Sequence, residues 1–228
     1  MILKTIGFIP LRKGSKGIPG KNKKDLAGKP LYQWVLDEAI HSNLDEVFVF
    51  TDDEEIFNKV SQNYASPKVK ALPRSQKSAS DTASTEFAMI EFAKQIEYDF
   101  DIICLLQATS PLTTTKDINA ALVKMENVEI DSLVSVVRTN RFIWNEDGTP
   151  QNYDIYNRPR RQDFNGLLIE NGAIYCTTQS TLKSFSNRLG GNIELLEMKE
   201  ESLMEIDSIT DWKIIEQLLL IKNSNVKL

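Results

Sequence analysis

An α/β fold built on a doubly wound, mostly parallel sheet follows from three features of this 228-residue sequence. Short apolar runs alternate with segments of helical periodicity. The links between them are short, which means βαβ units and parallel strands. The alternation breaks once, between Arg138 and Gly166, and that break reads as an insertion leaving the main domain.

The elements follow in chain order. Thr5 to Phe8 is an apolar run too short for a helix and fit for a buried strand. After it comes a loop, Ile9 to Lys24, in which Gly14, Gly17 and Gly20 recur every third residue among Arg12, Lys13, Lys16, Lys21, Lys23 and Lys24. Pro30 begins a helix whose apolar face carries Leu31, Trp34, Val35 and Ile40 up to His41. Val47 to Phe50 is the second strand, and Thr51-Asp52-Asp53 caps a helix running to about Asn63. Val69 to Leu72 is a short strand. Ser84 or Thr85 caps a helix carrying Met89, Phe92, Ala93 and Ile96. Ile102 to Leu106 is a buried strand, and Thr114 or Thr115 opens a helix with Ile118, Ala121, Leu122 and Met125 on one face. Leu133 to Val137 is the next strand. The interrupting segment is rich in aromatics and arginine, residue types enriched at buried interfaces, and reads either as a β-ribbon docking on a second subunit or as a surface flap. The pattern then resumes with a strand at Asn171 to Cys176, a short helix near Leu182, a strand at Ile193 to Met198, a helix from Thr210 to about Ile221, and a tail from Asn223 to Leu228.

Composition narrows the function. Apolar residues at 41% and charged residues at 26% describe an ordinary globular chain, and the net charge of −5 argues against a general nucleic-acid binder. The basic loop is therefore a local cationic site on an acidic protein, suited to a small anion. Two cysteines, Cys104 and Cys176, and one histidine, His41, leave no disulfide framework, no Cys/His zinc spacing and no histidine-based triad. No run reaches the length of a membrane span, and the expected location is cytoplasmic.

Four polar clusters follow strands, so a doubly wound sheet gathers them along one edge. The glycine-spaced basic loop has the chemistry of a phosphate cradle, since glycines turn backbone N–H groups toward a ligand and cations neutralise it. It has neither the G-x-x-x-x-G-K-[ST] nor the G-x-G-x-x-G spacing. Arg74 with Asp81-Thr-Ala-Ser-Thr85 precedes a helix N-terminus, an anion-friendly end or simply a capping segment. Gln107-Ala-Thr-Ser-Pro111 offers an amide and hydroxyls for a neutral polar ligand such as a sugar or base. Glu205 and Asp207, two apart on an extended segment, lie on one side and can share a divalent cation, with Thr210 and Asp211 available as helix caps. Cation cradle, polar pocket and carboxylate pair together suggest nucleotidyl transfer, which needs charge neutralisation and in-line positioning more than a strong acid or base.

These residues also carry a resemblance. Leu11-Arg-Lys-Gly-Ser-Lys-Gly-Ile-Pro-Gly-Lys-Asn22, Phe50-Thr-Asp-Asp-Glu-Glu-Ile56, Leu106-Gln-Ala-Thr-Ser-Pro-Leu112, Arg158-Pro-Arg-Arg-Gln-Asp-Phe164 and Asn171-Gly-Ala-Ile-Tyr175 stand in the order of the motifs of the CMP-sialic acid synthetases (acylneuraminate cytidylyltransferases). The chain resembles that family over nearly its whole length, and its arginine-rich run is similar to the animal-type enzymes. The resemblance implies a single Rossmann-like nucleotidyltransferase domain over residues 1–228, with a dimerisation lobe at about 138–170 that completes the partner's site in a homodimer. It implies CTP and a nonulosonic (sialic) acid as substrates, a CMP-sugar and pyrophosphate as products, and Mg²⁺ as cofactor.

Carried over residue by residue, Arg12 and Lys21 would hold the triphosphate and stabilise departing pyrophosphate. Ser15, Lys16, Asn22, Arg74 and Thr85 would line the nucleotide site, and Gln107, Asn171 and Tyr175 would face the sugar acid. Arg160, with Arg161 as the alternate, would pair with an anion across the dimer. Asp207 and Glu205 would hold the metal; the family's pair is Asp-x-Asp, so Glu205 is a departure by one methylene. Three alternatives stay open: the same reaction on a deaminated, legionaminic, pseudaminic or octulosonic acid; a transferase making a CDP-alcohol or NDP-hexose; or a non-catalytic nucleotide- or sugar-binding module.

Overall fold

The computed structural model describes residues 3–64 and 66–223, the side chain of residue 223 excepted. The chain runs β1 (Thr5–Leu11), β2 (Asp25–Leu26), β3 (Lys29–Pro30), α1 (Leu31–His41), β4 (Glu46–Thr51), α2 (Glu54–Asn63), β5 (Val69–Pro73), α3 (Thr85–Gln95) and β6 (Ile102–Leu106). It continues with α4 (Thr115–Met125), β7 (Ser132–Thr139), β8 (Leu167–Thr178), α5 (Gln179–Phe185), β9 (Ile193–Met198) and α6 (Ile209–Asn223). The tail expected at residues 223–228 falls, from 224 onward, outside the described residues.

Seven strands form one sheet in the order β5-β4-β1-β6-β8-β7-β9, and every strand but β8 runs the same way. The chain winds outward from β1 through β4 to β5, then crosses back to β6 on the other side of β1. That reversal makes the carboxyl ends of β1 and β6 the switch point of the sheet, where a crevice opens. The antiparallel β8 arises because β7 returns directly through the insertion: Thr139 at the end of β7 pairs with Leu167 at the start of β8.

Each helix starts where its first free N–H groups find an acceptor. Asp53 accepts from the N–H groups of Glu55 and Ile56, Ser84 from Phe87, and Thr114 makes a capping box with Asp117. Of the alternative caps read from sequence, Ser84 and Thr114 do the capping. At α6 the pair is Ser208 with Asp211, whose carboxylate accepts from the Ser208 N–H at 2.7 Å; Thr210 is not the cap.

The sheet is covered on both faces. One face packs α1, α2 and α4 through Val35, Leu36, Ile56, Val60, Ile118 and Leu122. The other packs α3 and α5, with Phe92 against Phe8 and Phe50 at ring-centroid distances of 4.6 and 5.7 Å. A third, smaller core joins Ile18 of the basic loop, Leu26 of β2 and Ile206 to Trp212, Ile215 and Leu219 of α6. Full burial of each such side chain is worth about 1.5–3 kcal/mol, and this core brings the two ends of the chain together.

Between Thr139 and Leu167 the insertion is not the continuous ribbon expected. It holds one isolated bridge, Trp144 with Pro150, and a 3₁₀ turn at Arg161–Asp163. Pro150 and Pro159 lack the N–H a ladder needs. Rings replace the ladder: Phe142 stacks near Tyr153 and Phe164 at 4.3 and 5.2 Å, and the Arg158 guanidinium lies 4.4 Å from the Phe142 centroid.

Candidate active site

A cavity of about 420 Å³ opens at the carboxyl edge of the sheet, between the loops that follow β1 and β6. Arg12, Ser15, Lys16, Lys21, Asn22, Arg74, Thr85, Gln107, Glu205 and Asp207 all line it. These ten positions come from five separated stretches of sequence, brought together by the sheet and by the small core that joins the basic loop to α6.

The basic loop is held at several points. The Asn22 side-chain amide donates to the Arg12 carbonyl at 3.1 Å, and the Lys13 N–H donates to Asp52 at 2.8 Å. Lys23 pairs with Asp53 at 3.1 Å and Glu55 at 2.8 Å. Lys21, mostly buried, donates to the Ile206 carbonyl at 2.6 Å and pairs with Asp207 at 3.3 Å. Gly17 lies so close beneath the same segment that a Cβ there would sit 2.5 Å from the Asp207 carbonyl oxygen. The phosphate-type loop and the carboxylate segment are thus clamped face to face. Arg12 and Lys16 converge on one carboxylate, Asp81, at 2.8 and 3.3 Å.

Arg74 follows β5, and its guanidinium donates to the Ser78 carbonyl and hydroxyl; burial lowers its pKa from the ordinary arginine value, although it stays charged. Thr85 opens α3. Gln107 follows β6, its N–H donating to the Ala173 carbonyl at 3.2 Å.

Glu205 and Asp207 differ sharply. Asp207 is exposed and paired with Lys21. Glu205 is half-buried and makes no hydrogen bond or ion pair among the described residues. Burial, then the nearby Asp207 charge, raises its carboxyl above the ordinary glutamate value. Its carboxyl group lies against Gly172, where a Cβ would come within 2.5 Å and where φ is +66°. Only a glycine leaves room for the longer glutamate there.

Two of the predicted sugar-facing residues do not line the cavity. Asn171 is 1% exposed, with its amide donating to the Ser202 carbonyl at 3.1 Å and its oxygen accepting from Ser135 at 2.6 Å. It ties β8 to β7 and to the 3₁₀ turn Glu200–Leu203, which leads into Glu205. Tyr175 is 3% exposed; its hydroxyl donates to Glu170 and its ring lies 4.7 Å from the Arg188 guanidinium, which bonds Glu86 on α3. Regular alternation would put residues 171 and 175 on one face, but β8 is irregular opposite Val134–Val136 of β7. Asn171 therefore packs with Met198 on one side of the sheet, and Tyr175 with Phe8 and Leu182 in the core on the other. Arg160 and Arg161 stand in the exposed insertion, Arg160 paired with Asp163 at 2.6 Å, and neither lines the cavity of its own chain. Asp81 and Thr109, which the sequence places in the clusters Asp81–Thr85 and Gln107–Pro111 without a role of their own, also line the cavity.

No helix of the described residues is long and apolar enough to cross a membrane. Cys104 and Cys176 are buried, free and directly opposite in β6 and β8.

A cytidylyltransferase family model matches residues 6–225. The chain is 40% identical to N-acylneuraminate cytidylyltransferase B of Danio rerio over 93% of its own length and 51% of that protein's. It is 31% identical to CMP-N,N'-diacetyllegionaminic acid synthase of Legionella pneumophila over 95% of its length and 97% of that protein's. It therefore spans about half the length of the animal relatives that it matches. A structure of CMP:2-keto-3-deoxy-manno-octonic acid synthetase complexed with CTP superposes with a TM-score of 0.73 at 21% identity, covering 96% of this chain and 99% of that one. This likeness bears out the α/β nucleotidyltransferase fold read from the alternating pattern. The ordered motifs are borne out at the level of kinship as well: the chain belongs to the cytidylyltransferase family, with N-acylneuraminate cytidylyltransferases among its relatives.

Proposed function

We propose that the chain joins CTP to a nonulosonic acid of the sialic type, giving the CMP-sugar and releasing pyrophosphate. The observation that carries this reading is the single cavity that unites four cations, a polar strand end and a carboxylate pair at the switch point of the sheet. In the reaction the anomeric hydroxyl of the sugar acid attacks the α-phosphorus of CTP in line, and the bond to the β-phosphate bridging oxygen breaks. Arg12 and Lys21 hold the triphosphate and stabilise the charge that develops on departing pyrophosphate, the main way such a site lowers the barrier. Asn22, Ser15, Lys16, Arg74 and Thr85 bind the nucleotide, and Gln107 meets the sugar acid.

Asp207 and Glu205 fit Mg²⁺, which takes one or two carboxylates and completes its shell with water and substrate phosphates. The unpartnered, desolvated Glu205 carboxyl is the kind of group a cation relieves. Bound there, Mg²⁺ would neutralise phosphate charge and polarise the phosphoryl oxygens.

A homodimer completes the reading, with Arg160 or Arg161 of one insertion reaching the partner's substrate. Support comes from the exposure of this segment, where Trp144 and Tyr156 are 52% and 94% accessible. The reduced cysteines support a cytoplasmic setting.

A second reading, a legionaminic-type acceptor, is supported by the 31% identity to the CMP-N,N'-diacetyllegionaminic acid synthase of Legionella pneumophila. Pyrophosphate release with CTP and Mg²⁺, offered N-acetylneuraminic, diacetyllegionaminic and octulosonic acids in turn, decides between them. Turnover with one acid names the acceptor. Silence with all three, from folded protein, counts against a synthetase.

A further inference from the structure

Four cations and three carboxylates line the cavity. Two of the carboxylates, Glu205 and Asp207, form the candidate cation pair. The third, Asp81, lies apart from them, on the segment before α3. It adds negative charge to a site whose other features favour a polyanion, and none of the roles assigned above accounts for it.

Its contacts give it one. The two oxygens of the Asp81 carboxylate divide between the two cations: Oδ1 accepts from Arg12 at 2.8 Å and Oδ2 meets Lys16 at 3.3 Å. Among the described residues its side chain has no other hydrogen bond or ion pair, so nothing else anchors it. Arg12 and Lys16 stand on the loop after β1, 69 and 65 positions away in sequence, and each keeps its reach into the cavity. The Asp81 side chain is half exposed, so it can swing toward solvent without leaving a buried charge behind. A carboxylate bridging a guanidinium and an ammonium uses the same donors that a phosphate group would use.

We propose that Asp81 is an internal counter-ion that competes with the polyphosphate of the substrate for Arg12 and Lys16. A triphosphate, which meets Arg12, Lys16 and Lys21 together, overcomes this competition. Inorganic phosphate and a nucleoside monophosphate carry less charge and span fewer cations, so Asp81 discriminates against them. When pyrophosphate leaves, the carboxylate returns to the same two cations and speeds its release. The inference rests on the reading of the cavity as a triphosphate site, but its test does not require a nucleotide.

The experiment titrates inorganic tripolyphosphate, pyrophosphate and CTP by calorimetry into the wild-type chain, Asp81→Asn and Asp81→Glu, without metal, at low and high salt. Asp81→Asn should bind tripolyphosphate roughly fivefold more tightly, the upper end for an exposed ion pair, and the gain should shrink at high salt. Asp81→Glu, which keeps the charge, should stay near wild type. In turnover, Asp81→Asn should be inhibited more strongly by pyrophosphate. Equal or weaker tripolyphosphate binding by a folded Asp81→Asn protein overturns the inference, because the carboxylate would then be holding the cations in place. If tripolyphosphate tightens while CTP binds neither protein, the counter-ion stands and the nucleotide reading falls. If neither protein binds tripolyphosphate, both fall.

Discussion

Arg12 leaves the end of β1 with its guanidinium in the cavity, held at its carbonyl by Asn22. If it meets the charge that develops on pyrophosphate, Arg12→Ala should lower turnover by roughly 10²-fold, the scale of losing one preorganised electrostatic group. Pyrophosphate release at saturating CTP measures this, and near-normal turnover would remove Arg12 from the chemistry. Asn171 should behave differently. Its amide is buried between Ser135 and Ser202, so Asn171→Ala should cost about 1–3 kcal/mol of stability by leaving buried partners unpaired. A urea titration would detect this, and an unchanged midpoint would argue against the buried network. At this scale the sequence was informative wherever a residue directly follows a strand: Arg12, Arg74 and Gln107 all reach the cavity. It misled at Asn171 and Tyr175, because a motif shows which residues are close in the chain but not which face of the strand each one takes.

Elements were read well where periodicity was long and capping chemistry clear, as in α2, α3 and α4. They were read short where pairing, rather than composition, sets the limit. β8 runs from Leu167 rather than Asn171, since its first four residues pair with the end of β7, a partner hidden until the insertion folds away. The four-residue hairpin of β2 and β3 was not anticipated; it is stitched by the Trp34 indole donating to the Leu26 carbonyl at 2.9 Å. Two predictions belong here. Gly172→Ala puts a Cβ into the Glu205 carboxyl at a backbone angle that favours glycine, so it should lower thermal stability and displace the carboxylate segment; an unchanged melting temperature would contradict the close approach. The second concerns the tie between α3 and the sheet. Burial alone would raise the Glu86 carboxyl, but the hydrogen bond and charge of Arg188 hold it below the ordinary glutamate value. A carboxyl lowered by folding stabilises above its unfolded pKa, and that contribution is lost as pH falls through the folded one. Arg188→Gln should therefore be less stable than wild type at pH 7, and the gap should narrow below about pH 4 to what stacking on Tyr175 provides. Denaturation midpoints across that range test the sign.

For the whole molecule, the alternation of strands and helices was enough to predict the sheet, its winding and the edge on which chemistry gathers. It did not reveal the structure of the insertion, whose rings pack on one another without a ladder. If that segment is the dimer contact, replacing residues 141–164 with a short turn should leave the sheet folded but yield a monomer in sedimentation, since Thr139 and Leu167 already pair. A dimer that survives the deletion would place the interface elsewhere. The clamp between the first loop and the segment before α6 has its own consequence. Lys21 reaches Ile206 across 185 positions of sequence, and Ile18 shares a small core with Trp212. A polypeptide still emerging from the ribosome thus carries every cation of the cavity long before Met204 has been synthesised, yet the carboxylate pair of Glu205 and Asp207 is not there for them to face. If the chain is the nucleotidyltransferase proposed above, catalytic competence becomes a late event in biosynthesis, and a half-made protein cannot consume nucleotide.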